Sequence, residues 1–320
     1  MAVYTQVSAE EMERLLACYD VGTLVSAKGI AEGVENSNFL IETTRDRFIL
    51  TLYEKRVSAD DLPFFLALLD HLAERGNPVP PAIADRRGVK IQTVEGRPAC
   101  LIEFLPGVSV SYPTAGQAYA AAHALGRMHA SLSDFAPERP NALGVDGWAP
   151  LLMRCGDDLD RIALGLFARV REALDAVLAE WPAAGALPRS AIHADLFPDN
   201  VLMLGETITG LIDFYFACTD IRAYDLAVMH GSWAFDATGA PAAPAVGRAL
   251  MEGYEAAFGL SAEERLYLPV LARGACIRFL LTRAWDWLNT PADALVTRKD
   301  PLAYLRRLDF YEANAAELFA

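Results

Sequence analysis

One stretch constrains this chain more than any other: Ile192-His193-Ala194-Asp195-Leu196-Phe197-Pro198-Asp199-Asn200, followed after a short hairpin by Leu211-Ile212-Asp213-Phe214. Asp195, Asn200 five residues on, and Asp213 thirteen further along form a set suited to phosphoryl transfer. That reaction needs a carboxylate to orient the attacking hydroxyl and accept its proton. It also needs oxygen ligands, here an Asn amide and an Asp, to hold Mg²⁺ against nucleotide phosphates. Taken singly, the first segment is a polar loop after a strand, with Asp199 and Asn200 as turn formers. The second segment, in the right order and at the right separation, turns the loop into a candidate site.

Composition bounds what can surround that loop. The chain has 320 residues, 53% of them hydrophobic and 22% charged, enough for one large or two ordinary domains with a substantial core. Its net charge of −14 argues against nucleic acid as a partner, which calls for a basic face. No apolar run reaches the ~18 residues of a membrane span, so no membrane partner is expected. The N-terminus lacks a basic region followed by an apolar core, and the expected location is cytoplasmic. Cys18, Cys100, Cys155, Cys218 and Cys276 are odd in number and form no C-x-x-C pair, which fits reduced buried thiols. His123 and His129 lie six apart, on different faces of a helix, and give no metal spacing. None of these features defines an oligomeric state.

In chain order, Ser8-Ala9-Glu10-Glu11 opens a short helix through about Cys18. Strand character follows in Gly22 to Ile30, Ser37 to Thr43 and Arg47 to Tyr53, with a turn over residues 31–36. Such a hairpin can cover phosphates with backbone N–H groups, although one glycine in the turn also suits an ordinary hairpin loop. A helix is expected from about Ala59 to Arg75, then strands near Val89 to Val94 and Pro98 to Phe104. Leu105-Pro106-Gly107 marks the expected boundary between a sheet-rich part, residues 1–104, and a helical part, residues 105–320. Backbone groups from Glu103 to Leu105 are candidates for reading adenine.

Beyond the boundary, helices are expected over Thr114 to Ser133 and, as one or two pieces, over Trp148 to Trp181. His129, near the end of the first, reads as a packing or hydrogen-bonding histidine. Val201 to Leu204 and Thr207 to Ile212 form a hairpin, which places Asn200 and Asp213 at its paired open ends, as one divalent ion requires. Further helices are expected over Ile221 to Phe235, Ala245 to Phe258, Ser261 to Trp287 and Pro301 to Leu318. His193 is expected to tie the loop together, and Asp225, near a helix start, to accept backbone or loop hydrogen bonds.

With these segments in hand, the chain resembles the aminoglycoside phosphotransferase–choline kinase superfamily, which has the protein-kinase-like fold. Within it the resemblance runs nearest to the bacterial homoserine kinases of that fold. Gly33-Val34-Glu35-Asn36-Ser37-Asn38-Phe39 is similar to the family's phosphate loop, and Arg47 to Tyr53 to its third strand. Ala124-Leu125-Gly126-Arg127-Met128-His129 resembles the helix with a Leu-Gly pair before a His. His193 to Asn200 matches the H-x-D-x-x-x-x-N loop, Ile212-Asp213-Phe214 the metal aspartate, and Asp213 to Asp220 with Tyr224-Asp225-Leu226-Ala227 the homoserine kinase version of the next segment. The resemblance implies an α+β, two-lobed fold: an antiparallel sheet lobe and a larger, mainly helical lobe. It implies ATP and Mg²⁺, with Asp195 as base, Asn200 and Asp213 as metal ligands, and Gly33, Asn36, Ser37, Asn38, Thr51, Glu103 and Leu105 as nucleotide contacts. The implied reaction is phosphorylation of a small amino alcohol or amino acid, L-homoserine first, in threonine biosynthesis. A choline- or aminoglycoside-type acceptor and a non-catalytic nucleotide-binding module are the alternatives.

One departure stands out. Kinases place a lysine on the third strand, paired with a helix glutamate. Here those places fall on Thr51 and on Phe65 or a neighbour, so both members of the pair are missing together. That is self-consistent, because losing one would strand a buried charge. Lys55, four residues on, either reaches the nucleotide or is solvated at the strand end. The carboxylate of homoserine suits an arginine fork, for which Arg222, Arg278 and Arg283 are candidates. Acceptors bearing only amines would instead call on Asp286, Trp285 and Trp287.

Overall fold

The computed structural model describes residues 4–30, 36–54, 58–290 and 298–319; Gly33 and Lys55 lie outside them. The chain packs as two compact units, Met1–Pro106 and Gly107–Ala320.

In the first unit, α1 (Ala9–Leu16) starts where the Ser8 hydroxyl accepts the Glu11 N–H, and it buries Met12, Leu15 and Leu16. Next come β1 (Leu24–Ile30), β2 (Ser37–Thr43) and β3 (Arg47–Leu52), then α2 (Leu62–Glu74), β4 (Gln92–Val94) and β5 (Arg97–Glu103). They form one antiparallel sheet in the order β1-β2-β3-β5-β4. Alternation along β2 and β3 sends Phe39, Ile41, Phe48, Leu50 and Leu52 to one face, where they form a core with Tyr19 and the buried side of α1. The expected strand from Val89 is shortened. Asp85 closes a loop there instead, its Oδ1 accepting the N–H groups of Arg87 and Val89 at 2.8 Å each.

In the second unit, α3 (Ala115–Ser131) opens with a Thr114–Gln117 capping box. It is followed by α4 (Trp148–Cys155) and α5 (Leu166–Glu180). Gly156 and Gly165, both at positive φ, bracket a 3-10 segment that separates α4 from α5. The chain continues through β6 (Arg189–Ile192), β7 (Val201–Leu204), β8 (Thr207–Leu211), β9 (Cys218–Ile221), α6 (Arg222–Trp233), α7 (Pro244–Ala257), α8 (Ala262–Asn289) and α9 (Leu302–Leu318). Two small antiparallel pairs, β6–β9 and β7–β8, carry the loop on which the chain was first read. Strand β9 has no counterpart in the sequence reading. It is four residues long, and only pairing with the distant β6 makes it a strand. Among the described residues, no helix is long and apolar enough to cross a membrane.

Helix α6 is buried on every side from Ala223 to Trp233, so its polar residues must be satisfied inside the protein. His230 meets the Tyr311 hydroxyl through Nδ1 at 2.6 Å and packs edge-on to Phe319. Burial pulls its pKa down to about 4. The folded ring therefore stays neutral while the unfolded chain gains a proton below about pH 6.5. Stability contributed by neutral His230 is complete above that pH and falls by ~1.4 kcal/mol per unit as pH drops toward about 4, roughly 3 kcal/mol in all. Denaturant titrations of wild type and His230→Leu should differ by that slope between pH 6.5 and 4. Parallel curves would remove His230 as the source.

Candidate active site

The loop from His193 to Asn200 leaves β6 and runs into β7, and much of its backbone is paired with side chains. Asp225 on α6 accepts the N–H of His193 through Oδ2 and that of Ala194 through Oδ1, both at 2.7 Å. The Ala194 carbonyl accepts from Arg278 Nη1 on α8, and the Leu196 carbonyl from Trp233 Nε1 at 2.9 Å. The Asp195 N–H donates to His193 Nδ1 at 3.3 Å, and the Asp195 carbonyl accepts from Asn200 Nδ2 at 2.8 Å. Such pairing is what the buried part of an irregular segment needs.

Ala194 sits at φ 62°, in the left-handed region, which costs a residue with a Cβ about 1–3 kcal/mol. The peptide groups on its two sides are clamped, one by Asp225 and the other by Arg278, and this holds the strained conformation. It turns Asp195 away from the strand direction. Asp213, at φ 65°, is held likewise just after β8.

Electrostatics follow from burial. The Asp195 carboxyl is pushed up to about 8, first by desolvation and further by Asp213 and Asp199, against the pull of Arg278 and Lys299. His193 is lowered by burial, although Asp225 and the Ile212 carbonyl oppose the shift. Its Nε2 must donate to that carbonyl at 2.9 Å, so Nδ1 is the acceptor facing Asp195 N. Asp225 is fully buried, which would raise its pKa. The hydrogen bond and charge of His129, aided by His193, outweigh burial and hold it below the usual range. His129 in turn bridges Asp225, 3.1 Å from Nε2, and the Tyr254 hydroxyl, 2.8 Å from Nδ1.

Asn200 and Asp213 flank the open end of the β7–β8 hairpin: Ile212 N donates to the Asn200 carbonyl at 3.0 Å, and Asp213 follows directly. The Asn200 amide nitrogen is committed to Asp195, which leaves its oxygen as the end suited to a cation. One amide oxygen and one carboxylate, with phosphate oxygens and waters completing the shell, are a donor set that fits Mg²⁺. Among the described residues, no group of three His, Cys, Asp or Glu offers another metal site.

The three arginine candidates separate. Arg222 corrects its expectation: Nε and Nη2 both bond Glu264 Oε1, at 3.0 and 2.6 Å, and Glu264 is wholly buried at the start of α8. Its fork is already occupied. Arg278 is buried and committed to the Ala194 carbonyl, a partner 84 residues away that no local pattern signals. Among the described residues, Arg283 makes one long hydrogen bond, Nη1 to the Asp300 carbonyl at 3.4 Å, and lies over the Tyr304 ring at 4.6 Å. Of the rings that an amine-binding site would draw on, Trp285 has one face covered by Arg154 at 4.1 Å and Trp287 one face covered by Arg298 at 5.1 Å.

Nucleotide candidates in the first unit also divide. Gly33 lies outside the described residues. The Ser37 hydroxyl is engaged within the unit: it accepts from Tyr4 N and Thr5 N and donates to Glu54 at 2.8 Å. Asn36 Oδ1 accepts the Glu54 N–H at 3.3 Å. Thr51 is buried and donates to Asn38 Oδ1 at 2.8 Å across the β2–β3 register, a neutral pair at the position expected from the sequence to match the strand lysine. The Glu103 N–H is taken by the Pro81 carbonyl at 3.1 Å, which removes that donor from the adenine reading; Leu105 follows beyond β5.

A loop that aims a half-buried carboxylate, with an Asn and an Asp beside it, is the chemistry of a phosphotransferase. The chain belongs to the phosphotransferase enzyme family, whose family model matches residues 26–264. It is 54% identical to a homoserine kinase of Azorhizobium caulinodans over 316 residues, covering 99% of this chain and 98% of that protein. A homoserine kinase of Gluconobacter oxydans is 52% identical over 315 residues, covering 98% of this chain and 99% of that protein. Among solved structures, an amicoumacin kinase in complex with AMP-PNP, Ca²⁺ and Ami has a TM-score of 0.70 at 14% identity, covering 95% of this chain and 92% of that one. A spectinomycin phosphotransferase in complex with ADP and spectinomycin has a TM-score of 0.68 at 14% identity, covering 98% of each chain. The fold is therefore the α+β, protein-kinase-like one, with an antiparallel N-terminal sheet and a mainly helical C-terminal part.

Proposed function

We propose that this chain transfers the γ-phosphoryl group of ATP to the side-chain hydroxyl of L-homoserine, giving O-phospho-L-homoserine for threonine biosynthesis. The observation that carries the reading is identity above 50% over essentially the full length with homoserine kinases of several bacteria. The local chemistry agrees with it.

Asp195 orients the acceptor hydroxyl and takes its proton as the new O–P bond forms and the bond to the β–γ bridging oxygen breaks, releasing ADP. Burial raises this carboxyl above the ordinary carboxylate range, which makes it a stronger proton acceptor. Asn200 and Asp213 hold Mg²⁺, which when bound neutralises charge on the phosphate oxygens. His193 and Asp225 keep the loop in the shape that aims Asp195. Thr51 and Asn38 supply a neutral surface where a lysine is usual.

The decisive measurement is ADP release with L-homoserine, choline, kanamycin and 3-aminopropan-1-ol as acceptors. Turnover of L-homoserine should exceed the others by roughly 10³-fold or more in kcat/KM, since a site built for a polar group rejects acceptors that lack it. Turnover of choline or kanamycin without homoserine would overturn the assignment. Nucleotide binding with no acceptor phosphorylated would leave a binding module.

A further inference from the structure

In a chain of net charge −14, cations gather on one short ladder of aromatic rings beside Asp195. Phe197 of the catalytic loop meets Phe279 edge-on at 5.0 Å, and Phe279 stacks on Tyr304 at 5.0 Å. Lys299 Nζ lies 5.8 Å from the Phe197 ring, Arg278 lies 4.3 Å from Phe279, and Arg283 lies 4.6 Å from Tyr304. Asp199 meets this group at a loose 3.9 Å from Lys299, and Asp195 and Asp300 lie within electrostatic reach of it.

Ring faces attract cations but do not replace the water or counter-ion lost on burial. Arg278 gains a carbonyl, and Lys299 remains largely in solvent. Arg283 is different. It is half-buried, burial pulls its pKa down, and no carboxylate pairs with it among the described residues. It also lies within electrostatic reach of Asp195. Homoserine is short, with three carbons between its hydroxyl and its carboxylate group. A carboxylate seat must therefore fall close to the base that takes the hydroxyl proton.

We propose that Arg283 receives the α-carboxylate of the acceptor, through the face of its guanidinium fork not used by Asp300, and thereby selects hydroxy amino acids over plain amino alcohols. The proposal rests on the homoserine reading above. It assigns Arg278 to positioning the loop and Arg222 to the Glu264 pair, so the three arginines are not interchangeable.

The test uses the full chain and compares L-homoserine with 3-aminopropan-1-ol, the same molecule without the carboxylate. Arg283→Met should raise KM for L-homoserine by roughly 10²–10³-fold while KM for ATP stays within about threefold. With 3-aminopropan-1-ol, kcat/KM should hold or rise, so the preference for homoserine collapses. Arg283→Lys keeps the charge without the fork, and should raise KM for homoserine by about tenfold with the fold intact by thermal melting. It decides the matter if the Met variant does not fold. An unchanged preference in either folded variant overturns the proposal and leaves the homoserine reading standing. Equal weakening of ATP and homoserine also overturns it, by assigning Arg283 to the phosphates. Wild-type enzyme that phosphorylates 3-aminopropan-1-ol but not homoserine overturns both.

Discussion

Asp195→Asn should lower kcat by roughly 10²–10⁴-fold while leaving KM for ATP close to wild type. The substitution keeps the size of the side chain and an oxygen that can accept from Asn200 Nδ2, now 3.3 Å from Asp195 Oδ2. The backbone bonds of the loop do not involve the side chain at all: Asn200 Nδ2 still reaches the carbonyl of residue 195, and its N–H still reaches His193. What is lost is the proton acceptor, and with it the pull on the hydroxyl as the phosphoryl group arrives. Single-turnover kinetics with saturating ATP would isolate that step. Turnover within threefold of wild type would refute the assignment of Asp195 as base.

Asp225 is expected to have the second-largest effect, and it acts on fold and rate together. Its two oxygens serve three donors: His193 N, Ala194 N and His129 Nε2. Asp225→Ala removes every acceptor at once in a fully buried place, and should destabilise the protein by about 3–5 kcal/mol. Asp225→Asn is the sharper probe. Whichever way the amide turns, its NH₂ faces at least one N–H donor, so a smaller loss of about 1–3 kcal/mol is expected. With Ala194 freed from its left-handed conformation, Asp195 loses its aim, and kcat should fall in the Asn variant at temperatures where it remains folded. Denaturant melts together with kcat below the transition separate the two effects. A stable Asp225→Asn with full kcat would show that the loop holds itself.

The sheet was legible because its signal is local. Alternating apolar residues define β2 at the bounds the sequence suggests, Ser37 to Thr43, and those of β3 differ by one residue. Where longer-range pairing decides, the reading weakens. Val89 has strand character but is caught in the loop closed by Asp85, and Cys218 to Ile221 becomes a strand only against β6. Trp148 to Trp181 read as one helix or two, and the break that makes it two turns on Gly156 and Gly165 at positive φ. In the site, the spacing of Asp195, Asn200 and Asp213 is legible because one loop and one hairpin carry all three. The roles of individual arginines are not, because each is decided by what lies opposite on another helix or loop. Glu264 occupies Arg222, and the Ala194 carbonyl occupies Arg278. Ser37 fits a phosphate loop by position, yet the chain around Tyr4 and Glu54 had already used its hydroxyl.

The neutral pair between Thr51 and Asn38 has a consequence for control. In protein kinases the strand lysine must find a glutamate on a neighbouring helix, and moving that helix makes or breaks the active arrangement. Thr51 and Asn38 belong to adjacent strands of the same sheet, opposite each other in register, and their bond forms as the sheet forms. The corresponding helix, α2, carries Phe65 packed into the interior; of its two carboxylates, both in its later turns, Asp70 is taken by Lys90 at 2.6 Å. That route to an off state is built out of the molecule. A bond made between neighbouring strands of one sheet offers no such moving part.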